Sequence, residues 1–153
     1  NKIFVNIVEY KPFAVWQNKG FFKLIDREGL IITSISNPIF DLPLIIGERA
    51  PEYITDFFLE LNEHPEIKKK IKVASNYRGR RWDIILDSGL VIKLPEKGIK
   101  EALGKVLSLE DKDKIFSMAI KIIDLRVDDR LFFTLRDGYK INNKNNNITE
   151  HKV

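Results

Sequence analysis

Few side chains in this 153-residue sequence are suited to acid–base, nucleophilic or metal chemistry. The sequence contains no cysteine, which excludes disulfides, thiolate metal ligands and thiol nucleophiles. There are two histidines: His64 precedes Pro65, and His151 lies in a polar stretch near the C-terminus. Neither histidine has a plausible partner in the sequence. We therefore interpret His64 as an exposed helix terminus rather than as a metal ligand or general base.

Two carboxylate pairs, Asp111 with Asp113 and Asp128 with Asp129, are the remaining candidates for chemistry. Such pairs can hold a hard cation or divide acid and base roles. Lysines alternate with the first pair, a pattern typical of a solvated loop. The sequence also has no phosphate-cradling Gly-rich loop and no Gly-x-Ser-x-Gly motif. We therefore predict a protein that is not an enzyme and has no cofactor, metal or small-molecule substrate.

A basic and aromatic cluster runs from Tyr77 to Trp82 and includes Arg78, Arg80 and Arg81. Phosphate contacts and base stacking use such residues, so a nucleic-acid-binding module is the alternative function. Acidic residues lie close by, and the net charge is only +4, from 26 basic and 22 acidic residues. We favour a solvated strand rim with no nucleic-acid partner. Tryptophans in a domain of this size usually anchor the core, which is how we interpret Trp82.

Local patterns predict two helices and several strands. Alternating apolar residues predict strands at 3–10, 21–25, 30–33, 72–77, 81–86, 90–94, 121–125 and 130–135. Trp82, Ile84 and Leu86 should share one face. One helix should begin at Pro51 and end at Pro65, and a second should cover 97–109. The Asn-rich polar segment 139–153 is expected to be mobile.

The last strand, at 130–135, has two interpretations. A strand added last often lies at a sheet edge, where unpaired N–H and C=O groups can accept a strand from another protein. Alternatively, its apolar residues complete the core. The pattern alone does not separate these interpretations.

Three sequence anchors, in a fixed order, together resemble one protein family. They are Val8-Glu9-Tyr10-Lys11-Pro12-Phe13-Ala14-Val15-Trp16, Arg80-Arg81-Trp82 and Ile123-Asp124-Leu125-Arg126. Each anchor alone is common, but their order and spacing resemble the bacterial cell-division family FtsQ/DivIB. The segment from Asp41 to Gly47 also resembles a Leu-Pro-x-x-x-Gly stretch of that family.

The resemblance implies an α+β fold, with a mostly antiparallel twisted β-sheet and two helices packed on it. Residues 1–9 would be the last strand of a truncated POTRA domain, 10–138 the FtsQ β domain and 139–153 a tail. Family members also have a cytoplasmic segment and one N-terminal membrane-spanning helix before these parts. We therefore expect a truncated chain whose native protein is a single-pass inner-membrane protein, with this domain in the periplasm.

The resemblance also implies a function without chemistry. Such a domain would be a divisome scaffold that recruits FtsB and FtsL, by adding a strand of FtsB to the C-terminal edge strand. Val127 stands where some members carry an aromatic residue, which affects a stacking contact but not backbone pairing. The partner-binding residues implied are Arg80, Arg81, Arg126, Val127, Asp128, Leu131, Phe132 and Phe133.

Overall fold

The computed structural model describes residues 10–37, 41–127 and 130–138, which form one large sheet with helices packed on it. The helices are α1 (Ala50–Glu60), α2 (Pro65–Lys68) and α3 (Ile99–Asp113), with 3₁₀ turns at Leu61–Glu63 and Ile115–Ser117. The strands are β1 (Ala14–Asn18), β2 (Phe21–Ile25), β3 (Ile31–Ile35), β4 (Leu44–Ile46), β5 (Ile71–Tyr77), β6 (Arg81–Leu86), β7 (Val91–Lys93), β8 (Ile120–Asp124) and β9 (Phe132–Leu135).

The nine strands seen in the described ranges have the order β3-β2-β1-β4-β5-β6-β7-β8-β9. Five neighbouring pairs are antiparallel, and three are parallel: β1 with β4, β4 with β5, and β7 with β8. The predicted α+β fold is confirmed, and the sheet is mixed rather than purely antiparallel. Parallel neighbours need a crossover connection. Here α1 and α2 connect β4 to β5, and α3 connects β7 to β8.

One face of the sheet carries the core. Trp82, Ile84 and Leu86 of β6 are all buried, as their predicted common face requires. Phe57 of α1 stacks on Trp82, with ring centroids 4.3 Å apart and planes 13° from parallel. Trp16 is also buried, and its indole Nε1 donates a hydrogen bond to the Gly47 carbonyl at 2.8 Å. The interpretation of Trp82 as a core residue is therefore confirmed.

The opposite face, which we call the open face, has only half-buried side chains along β6 and β7. Asp83 and Ile85 of β6 lie there, as do Val91 and Lys93 of β7. The register sets Asp83 beside Lys93, and Ile85 beside Val91. Charged and apolar residues therefore lie in adjacent rows that cross the sheet.

Strands β1 and β4 and helix α2 were not predicted, and the boundaries of both predicted helices need correction. Pro65 does not end the first helix. Helix α1 ends at Glu60 and a 3₁₀ turn follows, while Pro65 opens α2, where its missing N–H costs nothing. Helix α3 begins at Ile99 and continues to Asp113, past the predicted end at 109. The predictions for 1–9 and 139–153 lie outside the described residues.

Candidate protein-binding edge

Strand β9 is the last strand of the sheet. It pairs antiparallel with β8, with Asp124 opposite Phe132 and Ile123 opposite Phe133. No other strand of the described residues pairs with it. Of the two interpretations of this strand, the edge position is therefore confirmed for the part of the chain that the structure describes.

The side chains around β9 support the other interpretation as well, in which the apolar residues of this strand complete the core. Leu131, Phe133 and Leu135 are half-buried and pack against the core, whereas Thr134 is exposed. The side chains thus help to complete the core while the backbone remains at the edge. The two interpretations are compatible because side chains and backbone point in different directions from a strand.

A groove of about 410 Å³ lies beside the start of β9. Its apolar wall includes Ala102 from α3, together with Leu125 and Leu131 from the two ends of the β8–β9 connection. Val127 also lines it and is 48% exposed. The basic residues Lys97, Lys105 and Arg130 and the acidic Glu101 form its polar rim. The groove could therefore hold an apolar side chain with a polar neighbour.

Arg126 is held by a neighbouring carboxylate. Its Nε donates to Asp124 Oδ1 at 2.8 Å, and its Nη2 donates to Oδ2 at 2.6 Å. Burial raises the pKa of Asp124, but the hydrogen bonds from Arg126 outweigh this effect, and the net shift is downward. The same hydrogen bonds raise the pKa of Arg126. This is a charge-assisted, bidentate pair with a fixed geometry.

The two other predicted arginines have different environments. Arg80 makes a long ion pair of 3.5 Å with Glu96, and both side chains are more than half exposed. The Arg81 guanidinium lies 5.0 Å from the centre of the Tyr77 ring, and its Nε is buried without a hydrogen-bond partner in the described residues. Arg80 is therefore loosely held, whereas Arg81 is packed against the sheet.

The structure brings further charged residues to this site, which the sequence did not identify. Across β6 to β9, Asp83 pairs with Lys93, Lys93 with Asp124, and Asp124 with Phe132. Burial raises the pKa of Asp83, although Lys93 and Arg126 oppose this shift. The alternation of apolar and polar residues in β6, β7 and β8 could have shown that Asp83, Lys93 and Asp124 face away from the core. It could not have shown that the strand register aligns these three residues in one row.

The structure thus brings only some of the predicted partner-binding residues close together. Arg81 and Arg126 both lie close enough to Asp83 to act on its charge. Leu131, Phe132 and Phe133 lie along β9 or directly before it. Asp128 lies outside the described residues.

The other candidates for chemistry are not drawn together. His64 stands at a helix terminus, directly before α2, but it is half-buried and not exposed as predicted. Its Nε2 lies 2.8 Å from the Lys100 carbonyl oxygen. In the described part of the chain, no group of His, Asp and Glu residues is placed to hold a metal ion. Nor does this part contain a helix both long and apolar enough to cross a membrane.

The nucleic-acid alternative loses its main stacking residue. Trp82 is only 4% exposed and lies under Phe57, so it cannot stack on a base. The Arg81 guanidinium lies over the Tyr77 ring, which is otherwise 45% exposed. Arg80 pairs with Glu96, and Arg81 lies close to Asp83. The patch therefore lacks the combination of free rings and unopposed charge that single-stranded nucleic acid requires.

Comparisons with known proteins agree on one family. Residues 14–126 match the family model described as cell division protein FtsQ/DivIB, C-terminal. The chain is 33% identical over 135 residues to a cell division protein FtsQ of Rhizobium radiobacter, covering 88% of this chain and 64% of the relative. It is 36% identical over 126 residues to FtsQ of Rickettsia conorii, covering 82% and 47%.

Among solved structures, the major extracytoplasmic domain of DivIB from Geobacillus stearothermophilus aligns with a TM-score of 0.48 at 13% identity. The alignment covers 71% of this chain and 97% of that one. The chain spans between 40% and 64% of the length of the first curated relatives that it matches. The family model covers most of the chain, from the first strand of the sheet to Arg126. The chain therefore belongs to the FtsQ/DivIB family of cell-division proteins, whose C-terminal region it contains.

Proposed function

We propose that this domain is a non-enzymatic scaffold subunit of the division machinery that recruits FtsB and FtsL. A segment of FtsB would add to the sheet as a tenth strand, outside β9. The position of β9 at the end of the strand order is the observation that carries this proposal. An edge strand offers a row of backbone donors and acceptors to a strand from another protein.

Backbone pairing alone would not give stable binding. Strand β9 has four residues, enough for about two to four hydrogen bonds, each contributing about 0.5–1.5 kcal/mol. Association costs an estimated 4–15 kcal/mol. The groove beside β9 supplies the missing contribution, because each apolar side chain buried there adds about 1.5–3 kcal/mol. The proposal includes as contact residues Leu131 and Val127, which line the groove, and Phe132 and Phe133, which lie on β9 itself.

The arginines would recognise acidic residues of the partner. Arg126 directly follows β8, the neighbour of β9, whereas Arg81 lies on β6, three strands away, and Arg80 is exposed in the turn before it. Charged contacts of this kind set orientation and specificity more than affinity. We include Asp128 in the partner-binding region because it follows Val127 in the connection to β9.

The setting of the domain is also part of the proposal. Residues 10–138 would be the β domain, and residues 1–9 would be the last strand of a POTRA domain. The whole protein would be anchored in the inner membrane by one N-terminal helix, with this domain in the periplasm. The longer curated relatives are consistent with such additional parts.

A peptide from the C-terminal segment of FtsB tests the proposal, with affinity measured by calorimetry. The backbone of Phe133 points away from β8, because the Arg136 N–H bonds the Ala119 carbonyl and every second residue of a strand faces the same neighbour. Phe133→Pro in β9 should therefore abolish binding, since proline removes an outward backbone donor. Ser34→Pro, at an outward position of β3 on the other sheet edge, is the matched control and should bind as wild type does. Circular dichroism confirms that both variants are folded.

Hydrogen exchange provides an independent test on the unmodified chain. The peptide should protect the amides of β9, while those of β3 should exchange at an unchanged rate. Wild-type affinity in a folded Phe133→Pro variant, or peptide-induced protection at β3 instead of β9, would contradict strand addition at this edge.

A further inference from the structure

Asp124 fixes both the backbone and the side chain of Arg126. Besides the two guanidinium bonds to separate oxygens, Asp124 Oδ1 accepts the backbone N–H of Arg126 at 3.1 Å. The Asp124 side chain is 19% exposed and that of Arg126 is 37% exposed. The carboxylate is therefore the more buried partner, and the guanidinium lies between it and solvent.

Part of the guanidinium is left for another ligand. Within the described residues, the hydrogen bonds of Arg126 run from Nε, Nη2 and the backbone N to Asp124. A guanidinium has five N–H groups, so those of Nη1 are not used by this pair. The Asp83 carboxylate also acts on the charge of Arg126, without a hydrogen bond to it in the described residues. A guest carboxylate could bind the Nη1 groups without displacing Asp124.

The sheet register places this group within reach of an added strand. Asp124 lies opposite Phe132, so a strand outside β9 would bring one of its residues into the same row. Neighbouring strands are about 4.8 Å apart, which puts that residue about 10 Å from Asp124. An arginine and a glutamate together can span this distance. The adjacent row contains Ile122 and Thr134 at this end of the sheet, and neither is charged.

We propose that Asp124 is a positioning residue, which holds the Arg126 guanidinium at the open face so that it selects a carboxylate side chain on the added strand. This inference rests on the proposed function. A free arginine would lose the rotamer freedom of a long side chain on binding, and Asp124 removes that cost before the partner arrives. Asp124 also repels a guest carboxylate, so its removal has two opposing effects, which the experiment must separate.

The test uses pairs of FtsB C-terminal peptides. Within each pair, one acidic residue is either kept or replaced by its amide, and each acidic position of the segment is tested in turn. The measured quantity is the ratio of the two Kd values. Wild type should prefer one acidic peptide roughly tenfold, as expected for one charge-assisted hydrogen bond. Asp124→Asn should reduce this ratio to about twofold, leaving affinity for the amide peptide unchanged. Asp124→Glu should restore part of the preference.

Two controls isolate positioning from charge and folding. Asp87→Asn makes the same change in net charge in the β6–β7 turn and should keep the wild-type ratio. The NMR signal of the Arg126 Nε–H should be protected from water exchange in wild type and lose that protection in Asp124→Asn. A role limited to folding would not change the Kd ratio.

Each contrary outcome is distinct. A higher ratio in Asp124→Asn would show that Asp124 competes with the guest, and equal weakening of both peptides would show a purely structural role; either result overturns the inference while leaving strand addition intact. Failure of wild type to bind any of the peptides would overturn the proposed function, and this inference with it.

Discussion

Gly29 and Gly89 form a natural pair for testing how the sheet is attached to α1. Both have a left-handed backbone, with φ of +80° and +81°. A Cβ built on Gly89, in the β6–β7 turn, meets no atom within 4 Å. A Cβ on Gly29, before β3, would overlap the carbonyl oxygen of Pro51 in the first turn of α1. Alanine at the two positions therefore differs in steric overlap and not in backbone angle.

The difference can be converted into free energy of unfolding. A left-handed alanine costs roughly 1–2 kcal/mol, and we expect Gly89→Ala to lose only that amount. Gly29→Ala adds an overpacking cost of about 1–3 kcal/mol, because the Pro51 carbonyl belongs to the helix backbone and cannot move alone. The expected total at Gly29 is about 2–5 kcal/mol, a large part of the ~5–15 kcal/mol that stabilises a typical domain.

Urea unfolding, followed by the fluorescence of the buried Trp16 and Trp82, measures both variants. Gly29→Ala should have a lower midpoint than Gly89→Ala at an unchanged slope. Equal losses at the two positions would refute the close approach of the β2–β3 turn to α1, and with it this explanation for glycine at position 29.

Two further predictions concern the core and the open face. Phe57→Leu should lower the free energy of unfolding by about 1–2 kcal/mol, because leucine keeps much of the buried volume but loses the stacking on Trp82. Calorimetry measures this loss, and an unchanged free energy of unfolding would contradict the prediction. Burial raises the pKa of Asp83, so the folded state binds its proton more readily than the unfolded state, and the stability contributed by this group falls as pH rises through the folded pKa. Asp83→Asn should therefore stabilise the protein only slightly at neutral pH, because solvent screening weakens the effect at this half-buried carboxylate. The gain should vanish below the ordinary aspartate pKa of about 3.9. Urea titrations at both pH values check this, and a pH-independent gain would contradict it.

Local periodicity predicted most of the elements because those elements bury one regular face. In β6, the alternation that placed Trp82, Ile84 and Leu86 together is the same alternation that faces them toward the helices. The spacing of Ile54, Phe57 and Phe58 gave α1 for the same reason, since all three are buried in the structure. Where one element packs one face against the core, sequence and structure carry the same pattern.

Strand β4 shows where this reasoning stops. It has only three residues, Leu44–Ile46, and lies between the helix breaker Pro43 and Gly47. Its assignment depends on parallel pairing with both β1 and β5, which are distant in sequence. Nothing local distinguishes such a short apolar run from a loop. The same limit hid the row of Asp83, Lys93 and Asp124, because cross-strand register is set by turns, crossovers and a bulge in β8.

An edge alone does not explain selective recruitment, because the described strands leave a second sheet edge at β3. Strand β3 runs from Ile31 to Ile35 without a charged residue, so it offers a backbone ladder but no group that recognises a charged partner. Strand β9 combines its ladder with the groove below and the fixed guanidinium of Arg126 above. Backbone bonds attract any extended segment, whereas the groove and the guanidinium favour a segment with one apolar and one acidic side chain in the correct register. On this argument, selectivity resides in the side chains flanking β9, and the β9 backbone supplies only the alignment that lets a partner reach them.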